Sequence, residues 1–138
     1  RPSDPTKTGY TFDNWYKEDN TIFDFNTEIT EDITLKAGWT INTYSVTFDA
    51  DGGSPVPAVQ NVDYGGYVTL PAEPSKEGYN FNGWYTDDAC TVEYNFAAPV
   101  TEALNLKAGW TAKRFTITFV TGSGFPSVPP INNIVYIH

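Results

Sequence analysis

Methionine is absent from the 138 residues, and the chain has one cysteine and one histidine. The missing Met predicts that the natural start codon lies outside this stretch, making it a piece of something longer. No signal peptide is visible in it. A single thiol, Cys90, excludes a disulfide framework within the chain. A structural zinc site wants four Cys or His ligands, and a Cys–His dyad would have to join Cys90 to the terminal His138. So little Cys suits a secreted protein, and suits a cytosolic one almost as well. Basic residues are also scarce: eight Lys plus Arg stand against seventeen Asp plus Glu, for a formal net charge of −9. That balance argues against a nucleic-acid footprint and against docking on anionic lipid, both of which need a basic face. No apolar run approaches the roughly 20 residues of a membrane-spanning helix. What is plentiful is apolar and aromatic surface, 40% and 16% of residues, enough for a core and too much for a disordered acidic tail.

The chain repeats itself. Asp4-Pro5-Thr6-Lys7-Thr8-Gly9-Tyr10-Thr11-Phe12-Asp13-Asn14-Trp15-Tyr16 returns 69 positions later as Glu73-Pro74-Ser75-Lys76-Glu77-Gly78-Tyr79-Asn80-Phe81-Asn82-Gly83-Trp84-Tyr85. Leu35-Lys36-Ala37-Gly38-Trp39-Thr40 returns unchanged as Leu106-Lys107-Ala108-Gly109-Trp110-Thr111, now 71 positions on, so two residues are inserted between Tyr85 and Phe96. Tyr44 to Phe48 reappears as Phe115 to Phe119 at the same spacing, and Val56-Pro57 and Tyr64 match Val128-Pro129 and Tyr136 at 72.

Within each unit the apolar period is two rather than 3.6. Leu104, Leu106, Ala108 and Trp110 share one face, as do Ile33, Leu35, Ala37 and Trp39. Tyr44, Val46 and Phe48 alternate with polar residues, and Phe115, Ile117 and Phe119 copy them. Tyr79 to Tyr85 and Val59 to Tyr64 complete the strand set, separated by turns at Asp51-Gly52-Gly53, Gly65-Gly66 and Pro71 to Gly78. Helix has room only for single turns at Pro74–Glu77 and Pro99–Ala103. The expectation is an α+β, β-rich fold: small modules with a mixed sheet and one short helix each.

The ordered set T-F-D-A-D-G-G, V-D-Y-G-G, P-x-x-P-x-K-x-G-Y-x-F-x-G-W-Y and L-x-L-K-A-G-W-T resembles the Listeria–Bacteroides repeat, the B repeat of internalin B. The likeness covers residues 1–137. It implies a β-grasp, SUMO-like module, usually in tandem in large bacterial surface proteins. Three places depart from the pattern: Asn14 stands where the second unit has Gly83, Val120 to Gly124 replaces the Asp-x-Asp-Gly-Gly turn, and Ile137-His138 fails to match Gly65-Gly66. The expected organisation is the later part of one repeat (1–43), a complete repeat (44–112) and the opening of a divergent third (113–138). The alternative register is 1–69 and 70–138. An orphan half-sheet exposes edges and an apolar face, so residues 1–43 and 113–138 are expected to complete one another, within a chain or as a strand-exchanged dimer.

Each motif that suggests chemistry has a plainer reading. Asp49-Ala50-Asp51-Gly52 opens like a calcium loop, yet nothing after Gly53 supplies the remaining ligands, and a hairpin turn explains it. Glu18-Asp19 and Asp87-Asp88 are acidic pairs in the variable stretch, where solvated loops are the rule. Cys90 with Gln60 raises a thioester and Lys36 or Lys107 an isopeptide bond; a tolerated thiol and exposed strand lysines fit better. No catalytic residue, metal or cofactor is expected. Trp39 and Trp110 read as core. Trp15 and Trp84 fall on the opposite parity from Phe12/Tyr16 and Phe81/Tyr85, so both faces of that strand carry aromatics. Trp15, Tyr16, Trp84 and Tyr85 are therefore the candidate binding residues, for a glycan or for a host or bacterial surface protein. The leading expectation is a non-catalytic spacer and adhesive module of a secreted or cell-surface bacterial protein, whose nearest partners are neighbouring repeats. A carbohydrate- or receptor-binding module is the alternative.

Overall fold

The computed structural model describes residues 1–136. Eight strands follow in order: β1 (Tyr10–Tyr16), β2 (Lys36–Ile41), β3 (Thr43–Asp49), β4 (Gln60–Asp63), β5 (Tyr79–Tyr85), β6 (Leu104–Ala112), β7 (Arg114–Ile117) and β8 (Ile131–Val135). They form a four-stranded sheet of order β4-β3-β6-β5 and two separate two-stranded sheets, β1-β2 and β7-β8. Among the described residues the flanking hairpins pair with no further strand, so the expected completion of 1–43 by 113–138 inside one chain is not seen.

Each hairpin is antiparallel, with β1 on β2, β3 on β4, β5 on β6 and β7 on β8. Side-chain contacts between β3 and β6 advance together along both strands. Thr47 Oγ1 lies 3.1 Å from Asn105 Oδ1, and the Trp110 Nε1–H donates to Ala50 O at 3.0 Å. These two central strands therefore run parallel, and the sheet is mixed.

Among the described residues there is no helix, which corrects both expected helical turns. Their backbone groups are already committed to extended partners. Ser75 exchanges both bonds with Ser54, N–H to O at 2.8 and 2.9 Å. The Val100 N–H donates to Gly66 O at 2.8 Å, and Val100 O accepts from the Gly65 N–H at 2.7 Å. Prolines at 74 and 99 suit a helix start, but they suit extended chain equally.

The chain divides into two compact units. One comprises Arg1–Val46, Gln60–Val68 and Phe96–Ala103; its buried apolar residues are Val46, Val62, Val68 and Val100. The other comprises Thr47–Val59, Thr69–Asn95 and the chain from Leu104 onward, and it buries Phe48, Ala50, Trp84, Leu106 and Ala108. Among the described residues no buried one is polar or charged, as expected for short strands that each bury one face.

Candidate functional site

The repeated aromatics build the same cluster twice. On β1 and β2, Phe12 packs on Trp15 and Trp39 with ring centroids 5.5 and 5.7 Å apart, and Lys7 Nζ sits 4.2 Å from the Tyr10 ring centre. On β5 and β6, Phe81 packs on Trp84 and Trp110 at 5.6 and 5.4 Å, and Lys76 Nζ sits 4.5 Å over Tyr79. Such edge-on ring pairs and ammonium–ring contacts each add on the order of 1 kcal/mol. The second cluster has additional cover. Phe48 of β3 meets Trp84 at 5.0 Å, and Lys76 Nζ donates to Asp51 O at 3.0 Å.

The two tryptophans reach the Phe face through a break in the alternation. Pairing slips by one residue between Phe12 and Trp15 and between Phe81 and Gly83, which is a β-bulge. Gly83 takes φ 132° there, a backbone region that favours glycine. Asn14, its counterpart, is not in that region, and the slip in β1 is spread over a longer stretch. Strict period-two reading put Trp15 and Trp84 opposite Phe12 and Phe81; the bulge puts them together.

Of the four candidate binding residues, Trp84 is 2% exposed and lies in the core, while Trp15 is half-buried. Tyr16 and Tyr85 are half-buried, and their rings lie against Gly38 and Gly109 of the neighbouring strand. A Cβ on Gly38 would come 2.2 Å from the Tyr16 ring, and one on Gly109 would come 2.4 Å from Tyr85. The glycine in Leu-Lys-Ala-Gly-Trp is there because a tyrosine ring occupies the space of its side chain.

A second repeated feature, which sequence reading missed, is the passage from one repeat to the next. A single residue, Asn42, separates β2 from β3, and a single residue, Lys113, separates β6 from β7. The Asn42 N–H donates to Gly9 O at 2.9 Å and Asn42 O accepts from the Tyr64 N–H at 2.8 Å. Lys113 makes the same pair with Gly78 and Tyr136, at 2.8 and 3.1 Å. The Tyr64 ring covers Gly9 and the Tyr136 ring covers Gly78, at 2.1 and 1.8 Å from where a Cβ would stand, with both glycines at φ near +80°. The Gly-Tyr and Val-Asp-Tyr motifs were the available signal. Burial, and then a hydrogen bond to Glu77, push the Tyr136 phenol above its usual range.

The remaining candidates make local contacts. Asp49 Oδ1 accepts from the Asp51 N–H at 2.9 Å and closes its own turn. Asp87 accepts from the Thr91 hydroxyl and from the Thr91 and Val92 N–H groups, bonds that hold its carboxyl below the ordinary aspartate value. Cys90 Sγ lies 3.8 Å from Ala108 O. Lys107 Nζ donates to Asp88 O at 3.4 Å, and Lys36 is exposed. Ile137 and His138, including the Cys90–His138 dyad, lie outside the described residues. Among the described residues no cluster of His, Cys, Asp or Glu could hold a metal ion, and no helix is long and apolar enough to cross a membrane.

The family model for the Listeria-Bacteroides repeat domain matches residues 1–38 and 44–109. The chain belongs to this family. The gap between the two matched segments, 39–43, contains Asn42 of the first passage just described. Among curated proteins, the repeat domain is 40% identical over 127 residues to a "Putative membrane protein" of Evansella cellulosilytica, covering 89% of this chain and 19% of that protein. It is 42% identical over 109 residues to Internalin H of Listeria monocytogenes, covering 76% of this chain and 19% of the relative. The chain thus spans about a fifth of the length of these relatives.

Proposed function

We propose that this chain is a non-catalytic spacer segment of a bacterial surface protein, holding other domains away from the cell and contributing contacts for adhesion. Residues 44–112 serve as its complete module, flanked by the later part of one repeat (1–43) and the opening of another (113–138). The module is read as a helix-free β-grasp: two antiparallel hairpins joined through a parallel central pair, the order β4-β3-β6-β5. The names of the relatives, an internalin and a membrane protein, favour a surface location.

The observation that carries the reading is the repeated passage, Gly9–Asn42–Tyr64 and Gly78–Lys113–Tyr136. A spacer needs successive modules joined the same way each time. A one-residue link with two backbone hydrogen bonds and a ring seated on glycine meets that need, where a flexible linker does not. Small-angle scattering of arrays with two, four and six repeats tests it. The expected maximum dimension grows in proportion to repeat number. Growth as the cube root, or the square-root growth of a flexible string, would overturn the reading. On cells of the source bacterium, antibody labelling of the repeat on intact cells is expected; labelling only after lysis would remove the surface assignment.

A further inference from the structure

Asn82-Gly83 is the only Asn-Gly step in the sequence; every other asparagine is followed by a residue with a side chain. An asparagine carboxamide is open to attack by the main-chain nitrogen of the next residue, and a glycine there brings no Cβ to obstruct the approach. This step falls at the bulge of β5. Phe81 faces Trp110 and Gly83 faces Gly109, while Asn82 between them is the extra residue without a partner across the pair. Gly83 has φ 132°, and Asn82 is exposed to water. The carboxamide is tied to β6 by Thr111. Its Nδ2–H donates to Thr111 Oγ1 at 2.8 Å, and the Thr111 hydroxyl lies 3.2 Å from Asn82 Oδ1.

The equivalent place in the first repeat already carries an acid. Asp13 precedes Asn82 by 69 positions, and Thr40 precedes Thr111 by 71. The Thr40 hydroxyl lies 2.8 and 2.9 Å from the two carboxylate oxygens of Asp13. A carboxylate therefore fits opposite this threonine on the same kind of hairpin.

We propose that Asn82 is a site of spontaneous deamidation whose rate is set by the tie to Thr111. When the tie opens, the Gly83 nitrogen bonds to Asn82 Cγ. The amide nitrogen leaves as ammonia with the proton that the Gly83 nitrogen gives up, and a succinimide closes. Solvent water then opens that ring. Cleavage of the bond from Cγ to the Gly83 nitrogen yields aspartate with the main chain intact, and Thr111 receives it as Thr40 receives Asp13. Cleavage at the main-chain carbonyl yields isoaspartate, which routes β5 through the former side chain and adds a methylene between Phe81 and Trp84. Nothing is oxidised or reduced, and each conversion adds one negative charge to a chain of formal net charge −9. An aged β5–β6 hairpin is then either more acidic at its surface or displaced at Trp84, the ring that is 2% exposed.

Peptide mass mapping of the 138-residue chain, held folded at 37 °C and pH 8 for several weeks, tests this. A gain of about 1 Da is expected at Asn82 before any other asparagine. Thr111→Val should speed it about fivefold, the worth of one net hydrogen bond, with wild-type amide exchange at Trp84. Thr111→Ser, which keeps the hydroxyl, should keep the wild-type rate. Asn82→Asp should keep the wild-type urea midpoint. A wild-type chain that gains no mass at Asn82, or gains it first at another asparagine, overturns the proposal. So does a Thr111→Val rate equal to wild type, or one that rises only in step with exchange at Trp84, since strand opening rather than the tie would then set the pace. A lowered midpoint for Asn82→Asp would overturn the fit of the acid opposite Thr111.

Discussion

At the residue scale, the two repeats are one sequence in two degrees of burial, and equivalent substitutions should differ in cost accordingly. Trp84→Ala removes a ring packed on Phe48 and Phe81 at 2% exposure and is expected to cost about 3–5 kcal/mol. Trp15→Ala, in the half-buried counterpart, should cost roughly half as much or less. Urea denaturation midpoints compare the two directly. At the junction, Gly9→Ala forces a Cβ into the Tyr64 ring and places a non-glycine residue at φ 79°. The expected loss is about 2–3 kcal/mol, the sum of left-handed strain and ring displacement. Faster amide exchange at Tyr64 and Asn42 would report the opened junction; unchanged exchange would show that the ring is not its lock.

At the scale of elements, the loop after β5 is held by one carboxylate. Asp87 is depressed first by the Thr91 hydroxyl and then by backbone N–H donors, from a reference value of 3.8. A depressed acid contributes stability that is in place above 3.8 and is lost as pH falls through its lower folded value. Asp87→Asn should therefore flatten the acid limb of the stability curve below the reference value of 3.8, relative to the wild-type chain. The strands themselves were legible in the sequence, because Leu104 to Trp110 and Tyr44 to Phe48 alternate cleanly and each buries one face. The bulge was not, since an inserted residue shifts parity without any change in composition, and Trp15 and Trp84 were misassigned to the opposite face as a result. The turns at Pro74 and Pro99 were misread because proline marks a helix start and an extended segment alike. Only the distant partners Ser54 and Gly65-Gly66 decide between them, and a local reading of residue types does not see those. Tyr16 and Tyr85 were visible as aromatics, but their seats on Gly38 and Gly109 depend on which strand lies alongside.

At the scale of the molecule, a net charge of −9 acts against any meeting of two copies. Added salt screens that repulsion, and with it the self-repulsion that opposes compact packing, so the urea midpoint should rise between 20 mM and 500 mM NaCl. A fall with salt would mean that ion pairs outweigh the net repulsion in the folded chain. The parallel placement of β3 beside β6 has a mechanical consequence. In the proposed module 44–112 the chain enters along β3 and leaves along β6. A pull on the two ends of the module therefore drags adjacent central strands past each other in opposite directions. The inter-strand bonds lie across that pull and must give way together, instead of opening one after another from an end. A tether made of such modules would resist shear flow as a set of stiff links, each yielding in a single abrupt step.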